Sequence, residues 1–219
     1  MQSYYPILKY VSLFEAITEQ EFPAMLRCLA AKIMHYQKGS FPLLAGDTVT
    51  MVGILLHGQA HVIREDMNGN QVIITELQQC DLFAETFACM QVQRCPVTVQ
   101  AMTDCEVMWI DYRRAITQCA TACDYHTRLI ANMLRLIAQK NLRLNHRLEV
   151  LSKRSIRERL LAYFEQQVER TGNRSFTIPF DRNRLADYLC ADRSAMSREL
   201  GNMRDEGLLI FEKNHFTLQ

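Results

Sequence analysis

Arg193, Ser194, Ser197 and Arg198 are spaced to share one face of a helix, and they are the most chemically pointed group in this 219-residue chain. Arginine presents a planar fork of N–H donors that fits a guanine edge or a phosphate bidentately, and serine is a small donor that permits close approach. In the first two turns of a helix, such a set suits hydrogen bonding to base edges and to the sugar–phosphate backbone.

The segment that must present them runs from Phe180 to Leu209, FDRNRLADYLCADRSAMSRELGNMRDEGLL. Asp181 is an N-cap residue type, Leu185, Ala186 and Leu189 supply an apolar face, and Cys190-Ala191 leaves room only for a tight turn. Asp192 can cap a second helix in which Met196, Leu200 and Met203 face a core, with Gly207 ending it. A helical hairpin with a solvated polar face has the same spacing, so the pair alone leaves both readings open. The flanks add weight to a nucleic-acid reader. Ile210 to Glu212 and His215 to Leu218 alternate around Lys213-Asn214, where the asparagine tolerates positive φ, and this predicts a terminal hairpin, or wing. Upstream, Ile156 to Val168 predicts a helix with Leu160, Leu161 and Phe164 inside, ended by Thr171-Gly172-Asn173, and Phe176, Ile178 and Phe180 alternate after it.

Cysteine offers a second chemistry. Cys80, Cys89, Cys95 and Cys105 lie near one another in sequence, and Cys119 and Cys123 are four apart, so they could share a helical face. Thiolates bind zinc, iron or an iron–sulfur cluster, and paired thiols register redox state. There is no Cys-x-x-Cys pair among the eight cysteines, and buried cysteine also serves as a small hydrophobe. Metal or redox sensing and plain structural thiols therefore stand side by side. His57, His61, His126 and His146 show no spacing of haem ligands, and most of them read as surface or satisfied residues. No nucleophile, base and orienting group recur at a recognisable spacing, Glu85 has no acidic partner nearby, and no Gly-rich phosphate loop is present, so the chain is not expected to be an enzyme.

Composition sets limits on the rest. Hydrophobic residues make up 48% of the chain, enough for two small cores, and the formal net charge of +1 is not that of a protein that coats nucleic acid by charge alone. No apolar run reaches membrane-spanning length, and MQSYYPILKY lacks a signal-peptide pattern, so a cytoplasmic protein with reduced thiols and no membrane partner is expected. Strands are predicted at Val49 to Leu56, Ala60 to Arg64, Val72 to Leu77, Val97 to Met102 and Glu106 to Ile110. Turns at Gly39, Gly46, Gly58 and Gly69, with Asn68-Gly69 as a hairpin signal, imply a barrel or roll able to enclose a ligand. A helix from Glu19 to Lys32 should pack against it. From about Asp124 to Lys153 there is neither Gly nor Pro, and Ile130, Met133, Ile137, Leu144, Leu148 and Leu151 fall near a heptad seam interrupted by Lys140. A helix of about 28 residues is roughly 42 Å long, more than one small domain covers, and pairing with a second copy is the economical answer.

The order of elements and the residues together resemble the cyclic-AMP receptor protein and FNR (Crp/Fnr) family of bacterial transcription regulators. The resemblance spans nearly the whole chain and is strongest at RLADYLCADRSAMSRELGNMRDEGLL, Arg184 to Leu209, with further matches at CDLFAETF, Cys80 to Phe87, and CPVTVQAMTDCEVMWI, Cys95 to Ile110. It implies an α+β protein: a cyclic-nucleotide-binding-like β-roll sensor over 1–123, a long dimerisation helix over 124–152, and a winged helix-turn-helix over 153–219. It also implies a homodimer reading a palindromic operator in double-stranded DNA, with RNA polymerase as a further partner. Arg193 and Arg198 match the family's two recognition-helix arginines, while Ser194 replaces a glutamate often found between them. The effector pocket implied by alignment on Glu85 comprises Cys80, Ala84, Glu85, Arg94, Cys95 and Pro96. Cys80 and Ala84 stand at two family glycines, and Cys95-Pro96 at the phosphate-binding Arg-Ser pair, with Arg94 one residue early. Proline has no amide donor, and a one-residue shift re-aims a side chain, so the roll is expected to be kept and cyclic AMP not to be the effector. The FNR-type N-terminal cysteine cluster is absent, with only Cys28 ahead of the roll.

Overall fold

A computed structural model describes residues 4–66, 69, 71–117 and 123–219. The chain folds as two compact units, Met1–Ala138 and Gln139–Gln219.

The first unit opens with α1 (Tyr5–Leu8), a 3-10 turn at Ser12–Phe14, and α2 (Phe22–Cys28). Pro23 sits in the first turn of α2, where its missing N–H costs nothing, and the helix ends in Ala30 at φ 49°. The helix expected from Glu19 to Lys32 is therefore shorter. Lys32 begins β1 (Lys32–Tyr36), which pairs antiparallel with a strand more than 70 residues on, a long-range partner that local spacing does not reveal.

The roll follows as β2 (Met51–His57), β3 (Ala60–Glu65), β4 (Gln71–Leu77), β5 (Leu82–Phe83), α3 (Glu85–Met90), β6 (Thr98–Ala101), β7 (Cys105–Asp111) and α4 (Tyr112–Ile116). One sheet has the order β1-β7-β2-β5 and another β4-β3-β6. All five expected strands are present, and the four glycines expected at turns all have positive φ. Asn68, in the predicted hairpin turn, lies outside the described residues. Gly58 is needed for space as well as φ, because a Cβ there would collide with the Asp104 carbonyl. The two-residue β5 was not foreseen. It seats Phe83 on Gly53, where a Cβ would strike the ring, and Phe83 meets Trp109 edge-on at 5.2 Å.

Helix α5 (Asp124–Ser152) has 29 residues. Its beginning belongs to the first unit's core: Tyr125, Leu129, Met133 and Leu136 are buried there with α2 and the roll. Asn132 donates from Nδ2 to the carbonyls of Leu13 and Glu15 at 3.1 and 2.8 Å, which satisfies a buried amide and two loop acceptors together. Met133, only 3% exposed, is thus a core residue and not part of the expected seam. The large apolar side chains that α5 leaves exposed are Leu134, Ile137, Leu142, Leu144 and Leu148. With the half-buried Ile130 and Leu151, spacings of four and three run through 130, 134, 137, 141, 144, 148 and 151. The exposed Asn141, not Lys140, falls on this spacing.

The second unit contains α6 (Ile156–Thr171), β8 (Ser175–Thr177), α7 (Arg182–Tyr188), α8 (Arg193–Asp205), β9 (Leu209–Glu212) and β10 (His215–Leu218). Ser155 and Glu158 form a reciprocal capping box at the start of α6, and Gly172, at φ 66°, ends it. The three strands form a sheet in the order β8-β10-β9 over a core that includes Phe164, Phe176 and Phe216, with the Phe164 and Phe216 centroids 4.6 Å apart. Alternation placed the wing correctly, but the positive φ in its turn, 52°, belongs to Lys213 and not to Asn214. Asn214 instead donates from Nδ2 to the Ile178 carbonyl at 2.9 Å and ties the turn to the chain after β8.

Candidate nucleic-acid interface and effector site

Helices α7 and α8 start where their caps dictate. Asp181 accepts from the Arg184 amide and Asp192 from the Ala195 amide, both at 2.8 Å. Between them Cys190 takes φ 49°, and the Ala191 amide returns to the Ala186 carbonyl at 3.0 Å. Met196, Leu200 and Met203 are buried on one side of α8, whereas Arg193, Ser194, Ser197 and Arg198 are all exposed on the other. The four sequence-predicted residues therefore share one free face at the N-terminal half of a two-faced helix.

Two arginines that spacing could not identify brace this arrangement from α6. Arg159 donates from Nη1 to the carbonyls of Leu189 and Cys190 at 3.1 and 3.2 Å, occupying acceptors of the turn. Arg157 reaches α8, with Nη1 and Nη2 on the two oxygens of Glu206 and Nε on Glu199. Glu206, then Glu199, hold this guanidinium in its charged form, and Arg157 in turn keeps the Glu206 carboxyl below its ordinary range. The partners of Arg157 lie 42 and 49 residues away and those of Arg159 30 and 31, which is why no local pattern signals them.

Beside the wing turn, Pro179, Asp181, Arg182, Arg184, Lys213 and Asn214 line a concave surface of about 620 Å³. Arg182 lies over Phe211 and Phe216, 4.8 and 5.1 Å from their centroids, and its burial lowers its hold on the proton. Sequence reading missed this basic concavity because its residues come from the start of α7 and from the turn between β9 and β10.

In the roll, Cys80 and Ala84 have φ of 73° and 64°, a left-handed backbone that side chains resist. The chain thus keeps a glycine-type conformation at two positions without glycine. Glu85 is 4% exposed at the first turn of α3. Arg94 and Pro96 are exposed, and Cys95 is buried with Sγ donating to the Val97 carbonyl at 3.3 Å. Burial pushes the Cys80 and Cys95 thiols up. The cassette gathers a buried carboxylate, one buried and one half-buried thiol, and leaves its nearby guanidinium outside, a poor fit to the phosphate of a cyclic nucleotide. A separate cavity of about 270 Å³ has Lys32, Tyr36, Met51 and Trp109 in its lining and none of the expected effector residues.

Cys119, like the rest of residues 118–122, lies outside the described residues, and the seven described cysteines are reduced thiols. No group of three or more His, Cys, Asp or Glu is placed to hold a metal among the described residues. His126 is the exception among these histidines: it is 1% exposed, and Nδ1 has no hydrogen-bond partner among the described residues. No described helix is long and apolar enough to cross a membrane.

Comparison with known proteins matches residues 33–121 to the cyclic nucleotide-binding domain and residues 158–219 to the Crp-like helix-turn-helix domain. The chain belongs to the Crp/Fnr family. Crp/Fnr regulators are DNA-binding transcription factors and not enzymes, and this chain is a regulator of that type. No curated protein sequence matches the chain. Among solved structures, the catabolite activator protein of Thermus thermophilus is 20% identical, with a TM-score of 0.55 covering 95% of this chain and 93% of that one. DNR from Pseudomonas aeruginosa is 18% identical, with a TM-score of 0.52 covering 100% and 95%. The c-di-GMP-responsive regulator CLP of Xanthomonas campestris is 16% identical, with a TM-score of 0.54 covering 90% and 98%. At these identities the likeness establishes the fold.

Proposed function

We propose that this Crp/Fnr regulator is a homodimer that reads a two-fold symmetric operator through Arg193, Ser194, Ser197 and Arg198. The observation that carries the reading is the exposure of all four on α8 while Met196, Leu200 and Met203 bury its other side. Residues 1–123 sense, 124–152 pair and 153–219 read. The seam from Ile130 to Leu151 joins the two copies, and recognition helices about 34 Å apart would address successive turns of DNA. Arg182, Arg184 and Lys213 add contacts to the phosphate backbone beside the half-site.

The effector is a small molecule or a thiol-based signal in the roll unit, and it is not cyclic AMP. Each charge-assisted phosphate contact contributes on the order of 1.5 to 3 kcal/mol, and this cassette holds no arginine at the family's position. Relatives with this fold include one named for catabolite activation and one for response to c-di-GMP, so the fold admits more than one signal. Any signal acts only by binding better to the DNA-competent arrangement than to the other.

Selection of bound sites from a random DNA pool tests the reading. A palindrome with half-sites one helical turn apart is expected. Sites lacking two-fold symmetry would remove the dimer, and failure to enrich any sequence would favour a sensor that acts through protein contacts.

A further inference from the structure

Cys28 closes α2, Cys123 immediately precedes α5, and Tyr125 and His126 lie in the first turn of α5. The Cys28 Sγ is 3.7 Å from His126 Nε2. Burial first, and then the neighbouring Cys123 and Cys28 thiols, push the Tyr125 hydroxyl up, so both cysteines act on the same phenol. His126 is 1% exposed and its Nδ1 has no partner among the described residues. A buried N–H without an acceptor is costlier than a bare lone pair, which places the imidazole proton on Nε2, pointing at Cys28. A donor directed at sulfur favours the thiolate, the nucleophilic form. Both cysteines are half-buried and so within reach of a small solute, whereas Cys95 and Cys105 are buried and engaged with carbonyls.

We propose that Cys28 and Cys123 are a peroxide-reactive thiol pair assisted by His126. The Cys28 thiolate attacks one oxygen of hydrogen peroxide and the O–O bond breaks. The departing oxygen leaves as water after taking a proton, and Cys28 becomes a sulfenic acid. The Cys123 thiolate then attacks the Cys28 sulfur, the S–O bond breaks, and the hydroxide takes a proton and leaves as a second water. Two thiols and one peroxide give one disulfide and two waters; the sulfurs lose two electrons and the peroxide gains them. The bridge ties the end of α2 to the start of the helix carrying the proposed dimer seam, and its effect on DNA affinity rests on the function proposed above.

Full-length protein, reduced without oxygen, is treated with one equivalent of hydrogen peroxide, alkylated, digested and weighed by mass spectrometry. A Cys28–Cys123 linked peptide is expected, and in Cys123→Ser a dimedone-trapped sulfenic acid at Cys28. His126→Phe should slow loss of the Cys28 thiol at least tenfold while leaving alkylation of exposed Cys190 unchanged. The proposal fails if Cys28 and Cys123 stay alkylatable while Cys190 is oxidised, or if His126→Phe reacts at the wild-type rate. In a parallel binding assay, the bridged protein should differ from the reduced one at least fivefold in operator affinity, and equal affinities would overturn the coupling. Reduced protein that selects no DNA sequence would sink the proposed function while leaving the thiol chemistry to the mass measurement.

Discussion

Arg157 on α6 grips Glu206 beyond the end of α8 with both amino groups, Nη1 at 2.8 Å from one carboxylate oxygen and Nη2 at 2.6 Å from the other. With Nε on Glu199, one guanidinium fixes two points of the helix that carries the proposed DNA contacts. Arg157→Ala should lower operator affinity severalfold although Arg157 is not among the proposed DNA contacts, and a gel-shift titration checks this.

The same grip has a pH signature. Glu206 ionises below its ordinary 4.5 because Arg157 donates to its charged form. A carboxyl depressed in the folded state adds stability above its unfolded value and loses it as pH falls through the folded one. The melting temperature of wild-type protein should therefore exceed that of Arg157→Ala at about pH 7, and the gap should shrink below about pH 4. A gap that stays constant down to about pH 3 would mean the carboxylate contributes nothing.

Arg198→Ala should weaken binding to the selected operator by about 1 to 3 kcal/mol and relax the preference at one position in each half-site. Binding to unrelated DNA should change far less. Equal losses on both DNAs would reassign Arg198 from base reading to phosphate contact.

Lys213→Ala at the wing turn should behave in the opposite way. Affinity should fall by a similar factor on every sequence, and the salt dependence of binding should lose about 0.9 in slope per phosphate contact removed. An unchanged slope would take the wing off the DNA.

Leu148→Asp places a charge on the exposed stripe of α5 and should shift the protein to monomers in sedimentation, with loss of operator binding. Asn141→Leu should do the reverse for affinity but blur the outcome, because a polar residue at one seam position fixes register and oligomer number at some expense in stability. A monomeric wild type would remove both expectations.

How much of this was legible in the sequence depended on how far apart the determining residues lie. Asp181, Asp192 and Gly207 punctuate α7 and α8 within a few residues of what they control, so the helix pair and its exposed quartet could be read directly. The seam's phase could not. Met133 and Leu134 are adjacent and both apolar, and only the burial of Met133 in the first unit's core shows that Leu134 carries the exposed stripe. Strand β1 escaped for a similar reason: its partner β7 is distant, and the preceding helical pattern ran on into Lys32. In the roll, Cys80 and Ala84 hold a left-handed backbone under side chains that ordinarily avoid it, so only alignment with a glycine pattern pointed to their conformation.

Because α8 divides its duties so cleanly, the two sides can change independently. Met196, Leu200 and Met203 keep the unit folded, while Arg193, Ser194, Ser197 and Arg198 bury nothing that the fold needs. Surface exchanges of that kind usually alter stability by less than about 0.5 kcal/mol. On the proposed reading, a duplicated copy of this regulator acquires a new operator through a few substitutions on that exposed side, and the same four positions form a compact library for reprogramming it in the laboratory.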